Sequence, residues 1–105
     1  MTDLYQMQID HVPAETINAL LGLYQSSKFS EANTLLSEKL RAYPNSPQLW
    51  NILGVLSHQN NEYSQAATAF SKVIKLTPRE TEAWYNLGQI KLELNEFDDA
   101  INCFR

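Results

Sequence analysis

The chain is poor in the residues that build several whole classes of protein. It has one cysteine, Cys103, in 105 residues, which excludes an internal disulfide framework and any site built from several thiolates. Three glycines and four prolines leave no room for a collagen-like repeat or a flexible linker. Apolar runs last only a few residues, so no segment has the length needed to cross a bilayer. Met1 to Asp10 contains Asp3 and no Lys or Arg, and so lacks the charged and apolar parts of a secretion signal. Cations are also scarce, eight against twelve acidic residues for a net charge of −4. That balance disfavours a grip on nucleic acid phosphates that ignores sequence. What remains, with 44% hydrophobic residues, is a globular chain expected to be soluble, cytoplasmic and largely helical, with neither a nucleic acid nor a membrane as partner.

What is abundant is self-similarity. Trp50 returns as Trp84, Leu53 as Leu87 and Gly54 as Gly88, each 34 residues later. Ala32, Ala66 and Ala100 keep the same interval, as do Phe29, Tyr63 and Phe97, the pair Pro44 and Pro78, and the pair Phe70 and Phe104. A fixed period of this length marks a stacked repeat. The expected organisation is an amino-terminal extension over 1–12, then units over 13–46, 47–80 and 81–105, the last cut short.

Each unit holds two amphipathic helical patterns. In the second, Leu49, Trp50, Leu53 and Leu56, then Ala66, Ala67, Phe70, Val73 and Ile74, follow three-or-four spacing. Gln59 to Glu62 breaks them, with Asn61, and later Asn95, suited to a left-handed turn. Ser46 before Pro47 reads as a helix cap followed by a preset φ. Ser30, Ser64 and Asp98 are expected to open the second helices, and Pro44 and Pro78 to close two of them. Six helices are predicted, near 14–25, 30–43, 47–59, 64–76, 81–94 and 98–105. Gly54, Gly88 and the alanine series would permit close helix approach, and Trp50, Trp84, Phe70 and Phe104 would fill the core between hairpins.

Trp-x-x-Leu-Gly at 50–54 and 84–88, joined to Ala66, Ala100, Phe70, Phe104 and Pro78, resembles the tetratricopeptide repeat. The first unit departs from that pattern, with Thr16 for Trp, Ala19 for Leu and Leu20 for Gly. The resemblance implies an all-α fold, a right-handed superhelical solenoid of antiparallel helix hairpins. It also implies that the first helix of each pair lines a concave groove. Family groove positions fall on Gln48, Asn51, Val55, His58 and Gln59 in the second unit, and on Glu82, Tyr85, Gln89, Leu92 and Glu93 in the third. In the first unit they fall on Ala14, Ile17, Leu21, Tyr24 and Gln25. Amides can bond an extended peptide backbone, and Tyr24 and Tyr85 offer rigid amphipathic area. The plainer reading of each is packing on a neighbouring helix or exposure to water. The family's clamp for peptide carboxylates needs cations in the groove. None of these positions holds Lys or Arg, whereas Lys28, Lys39, Arg41, Lys72 and Lys75 lie on turns and second helices.

Catalysis finds little footing. His11, His58 and Cys103 fall in different units, too scattered for a metal site. Cys103 has no basic partner visible in sequence and reads as a packed thiol. Acidic residues at Glu80, Glu82, Asp98 and Asp99 suit helix amino-terminal ends. The expectation is therefore a non-enzymatic protein-interaction module, without cofactor or metal, that binds a protein or peptide segment. The abrupt end of the sixth helix suggests the amino-terminal part of a longer protein, with self-association through that open helix as one further outcome. Residues 18–25 and 43–54 are similar to repeats that precede sulfotransferase or O-linked N-acetylglucosamine transferase-like domains. That likeness implies, as the alternative, a substrate-recruiting arm of such an enzyme.

Overall fold

The computed structural model describes residues 9–104, and every described element is helical. In order these are α1 (Ala14–Gln25), α2 (Phe29–Ala42), α3 (Pro47–Gln59), α4 (Tyr63–Leu76), α5 (Thr81–Glu93) and α6 (Phe97–Cys103). Leu4, Met7 and Ile9 are apolar positions from which the amino-terminal extension could pack on the first hairpin; Leu4 and Met7 lie outside the described residues, and Ile9 is half-buried. The chain divides into two compact units, one ending at Leu49 and the other beginning at Trp50.

The three turns inside the hairpins share one geometry. Ser27, Asn61 and Asn95 have φ of 62°, 61° and 63°. The amide after each reaches back five residues, Lys28 to the Leu23 carbonyl (2.9 Å), Glu62 to Ser57 (2.8 Å) and Glu96 to Lys91 (2.8 Å). The left-handed residue itself donates three back, as Ser27 does to the Tyr24 carbonyl at 3.1 Å. This pair of hydrogen bonds satisfies carbonyls that the ending helix would otherwise leave unpaired. Asn at two of the places was expected; Ser27 at the third was not.

The second helix of each pair starts one residue earlier than expected, at Phe29, Tyr63 and Phe97, not at Ser30, Ser64 and Asp98. The preceding residues Lys28, Glu62 and Glu96 make no side-chain cap. Their carbonyls instead accept from Ala32, Ala66 and Ala100, each at 3.0 Å. The turn thus feeds straight into the next helix. Where a side-chain cap does form, it is at the expected place: the Leu49 amide donates to Ser46 Oγ at 3.2 Å, and Ser46 is fully buried. Helices α2 and α4 end at Ala42 and Leu76, two residues before Pro44 and Pro78, as the restricted residue before proline requires.

In the first unit Leu20, Ala32, Leu36 and Leu49 are buried. Asp10 ties the segment before α1 to the α2–α3 turn: its amide donates to the Asn45 carbonyl (3.0 Å), and its carboxylate accepts from the Asn45 amide (2.8 Å). In the second unit Ala66, Phe70, Leu87 and Ile90 form the core, with Tyr63, Ala67, Ile74, Leu94 and Cys103 packed around it. Phe70 lies against the backbone at Gly54, where a Cβ would come within 2.7 Å of the ring. Phe104 lies against Gly88 in the same way. In the first unit Leu20 and Leu36 hold the two corresponding places, and both are buried. The small-against-large arrangement of the other hairpins is replaced there by two residues of equal size.

Not every repeated bulky residue is core. Phe70 is 1% exposed, but Phe104 is 45% and Trp84 36% exposed. The difference follows from neighbours. Phe70 packs with Ala66, Leu87 and Ile90 in the core, whereas Phe104 meets the Tyr85 ring and borders an open cleft. Trp84 keeps its indole N–H bonded to the Pro78 carbonyl at 2.9 Å, so the ring braces the α4–α5 turn at the surface. No described helix is long and apolar enough to cross a membrane.

Candidate interaction surface

The residues expected to contact a partner sit on first helices, and helical register puts them in line. Steps of three and four residues return a side chain to the same face. On α3 these are Gln48, Asn51, Val55, His58 and Gln59; on α5 they are Glu82, Tyr85, Gln89, Leu92 and Glu93. Gln48 falls in the compact unit that ends at Leu49, and the other α3 positions in the one that begins at Trp50.

Along α3, Gln48, Val55 and Gln59 are exposed, and Asn51 and His58 are half-buried. His58 is not a free surface residue, because its ring lies 5.8 Å from that of Tyr63 at the start of α4. Tyr63 is held in turn by a bond from its hydroxyl to Asn61 Oδ1 at 2.9 Å. Along α5, Glu82, Tyr85, Leu92 and Glu93 are exposed and Gln89 is half-buried. Gln89 Nε2 donates to Tyr85 Oη at 2.7 Å, and the Tyr85 ring tilts against Phe104 at 5.7 Å. Tyr85 is therefore braced on two sides while 54% of it stays open to solvent.

The first unit presents its face differently. Ala14, Leu21 and Gln25 are exposed, and Ile17 is half-buried. Tyr24 is turned onto α2, donating its hydroxyl to Asn33 Oδ1 at 3.1 Å with its ring 6.5 Å from Phe29. Burial pushes the Tyr24 phenol above its ordinary pKa. Its contact area is partly spent inside its own hairpin.

Two features escaped the sequence reading. Asn86, half-buried on α5, falls in line between Glu82 and Gln89 and adds a second side-chain amide beside that of Gln89. A cleft of about 490 Å³ lies between α5 and the end of α6, walled by Trp84, Tyr85 and Phe104 with Arg79 and Asn102 at its edge. Trp84 and Phe104 in its wall are both more exposed than Phe70. A shared exposed tryptophan and phenylalanine could not be inferred from repeat spacing alone.

Among the described residues no three His, Cys, Asp or Glu side chains gather where a metal could bind. Cys103 packs beside the core, and burial pushes its thiol up, opposed by the Lys91 charge and reinforced by Asp99. Lys91 faces α6, bonding Glu96 at 3.2 Å with Asp99 at 4.0 Å. The line on α5 is left with carboxylates, amides and a phenol.

The sequence pattern described as tetratricopeptide repeat matches residues 18–78 and again 58–105. No curated protein matches the chain.

Proposed function

The chain belongs to the tetratricopeptide repeat family, whose repeats generally mediate protein–protein interaction, and from that premise we propose that its first-helix face holds an extended segment of a partner protein. Asn51, Val55, His58 and Gln59 on α3 and Glu82, Tyr85 and Gln89 on α5 would make the contacts, while Gln48 at the start of α3 and Tyr24 on α1 are separate candidates in the compact unit that ends at Leu49. The observation carrying this reading is Tyr85, a braced aromatic ring with half its surface open beside a half-buried amide. A rigid ring of this kind loses little freedom when it is covered, which suits a binding anchor. The protein performs no chemistry itself, and a cytoplasmic setting fits its single thiol.

The test selects ligands from a displayed library of random decapeptides and compares the protein with the Asn51→Ala/Tyr85→Ala double variant. Selected peptides should lose at least about tenfold in affinity for the variant, a modest sum for one anchor and one amide. The circular dichroism spectrum should stay the same. Undiminished binding would remove these helices from the binding surface.

Self-association is a second reading, favoured by Phe97 and Ile101, which α6 leaves exposed. Sedimentation of a monomer at tens of micromolar would dismiss it. The recruiting-arm alternative rests on the likeness of residues 18–25 and 43–54 to repeats that precede transferase domains. The coding sequence beyond Arg105 decides it.

A further inference from the structure

The α5 face specifies a charge as well as a shape. Glu82, Asn86, Gln89 and Glu93 succeed one another by four, three and four residues, and so run in one line along the helix. A carboxylate stands at each end, about 16 Å apart at 1.5 Å per residue. Amides lie between them, flanked by the exposed apolar surfaces of Tyr85 and Leu92.

Among the described residues neither carboxylate is paired with a cation. Among the described residues the ion pairs are those of Lys91 with Glu96 and Asp99. Lys72 and Lys75 belong to α4, and Arg79 to the turn before α5. Glu82 in the first turn has a local reason to be there, because a negative charge is favoured at a helix amino-terminal end. Glu93 has none. It is the last residue of α5, where the helix dipole disfavours an anion.

We propose that the segment bound on this face is extended and carries a Lys or Arg at each end of a short apolar or polar stretch, one for Glu82 and one for Glu93. An extended chain rises about 3.3 Å per residue, so a span of about 16 Å sets the two cations about five residues apart. The amides of Asn86 and Gln89 bond the backbone between them, and Tyr85 and Leu92 cover its side chains. Exposed carboxylates of this kind chiefly select and steer a partner, rejecting acidic segments by repulsion. The inference rests on the groove reading and adds the partner's charge pattern to it.

The experiment uses the same decapeptide library on the protein and on the Glu82→Gln/Glu93→Gln variant. Ligands of the unaltered protein should be enriched in Lys or Arg pairs spaced about four to six residues apart, the extended-chain match to the two carboxylates. A consensus peptide should bind the charge variant several-fold to about tenfold more weakly, the scale of two exposed ion pairs. Its affinity for the unaltered protein should fall with added salt, and that dependence should flatten in the variant. Ligands that need Asn51 and Tyr85 but show no basic pair would overturn this inference and leave the groove reading standing. Ligands indifferent to Asn51 and Tyr85, or no ligands at all, would overturn both.

Discussion

Gly54 and Gly88 hold the same place in the repeat, yet a methyl group added at each should act in opposite directions. At Gly54 the new Cβ would lie 2.7 Å from two carbons of the Phe70 ring. That ring is wrapped by Ala66, Leu87 and Ile90, so it has no open side to move toward. Overpacking of this sort costs about 1–3 kcal/mol. Alanine recovers up to about 1 kcal/mol over glycine within a helix. The expected net for Gly54→Ala is a loss of up to about 2 kcal/mol. At Gly88 the obstructing ring is Phe104, which borders the open cleft and can swing outward. The helix term then dominates, and Gly88→Ala should gain about 0.5–1 kcal/mol. Urea unfolding followed by far-UV circular dichroism reads both, as a lower midpoint for the first variant and a higher one for the second. Adding Phe70→Leu to Gly54→Ala should recover part of the loss, because Leu20 and Leu36 already fill the matching places of the first hairpin. Equal destabilisation by both alanines would refute the claim that the two rings differ in freedom to move. A Gly54→Ala as stabilising as Gly88→Ala would refute the close approach itself.

Ser27 should be improvable, because an L-residue other than Asn or Asp pays about 1 kcal/mol to hold a left-handed backbone. Ser27→Gly should therefore raise the urea midpoint, whereas the same change at Asn61 should do less. The raised pKa of Cys103 keeps its thiol protonated to higher pH in the folded protein, so iodoacetamide should alkylate it more slowly than it alkylates the urea-unfolded chain. Lys91→Gln removes the charge that favours the thiolate and should slow the folded reaction further.

How much of this was legible in the sequence depends on whether the controlling contact was periodic. The helices and the alternation of small and bulky positions could be read because the same packing problem recurs every 34 residues. Asn61 and Asn95 announced their turns by residue type. Ser27 did not, since serine has no special taste for that conformation and adopts it because the flanking helix ends demand it. The early starts at Phe29, Tyr63 and Phe97 were missed because the turn's own backbone bonds open the helix, with no capping side chain to mark the spot. The bond between Asp10 and Asn45 joins residues outside any repeat. Likewise the signature placed Trp84 and Phe104 in a packing role but said nothing of how many neighbours would cover them. On the candidate surface, the candidate positions along α3 and α5 came from the family resemblance, while side-chain partners such as Asn33 for Tyr24 and Tyr85 for Gln89 depend on rotamers that spacing does not encode.

The most direct test of the central claim is to map a selected peptide onto the protein by its effect on backbone amide resonances. Binding on the first-helix face should shift the amides of Asn51, Val55, Tyr85 and Gln89 most, and leave Lys72 and Lys75 on α4 nearly unmoved. Shifts concentrated around Lys72 and Lys75, with Asn51 and Tyr85 silent, would contradict it.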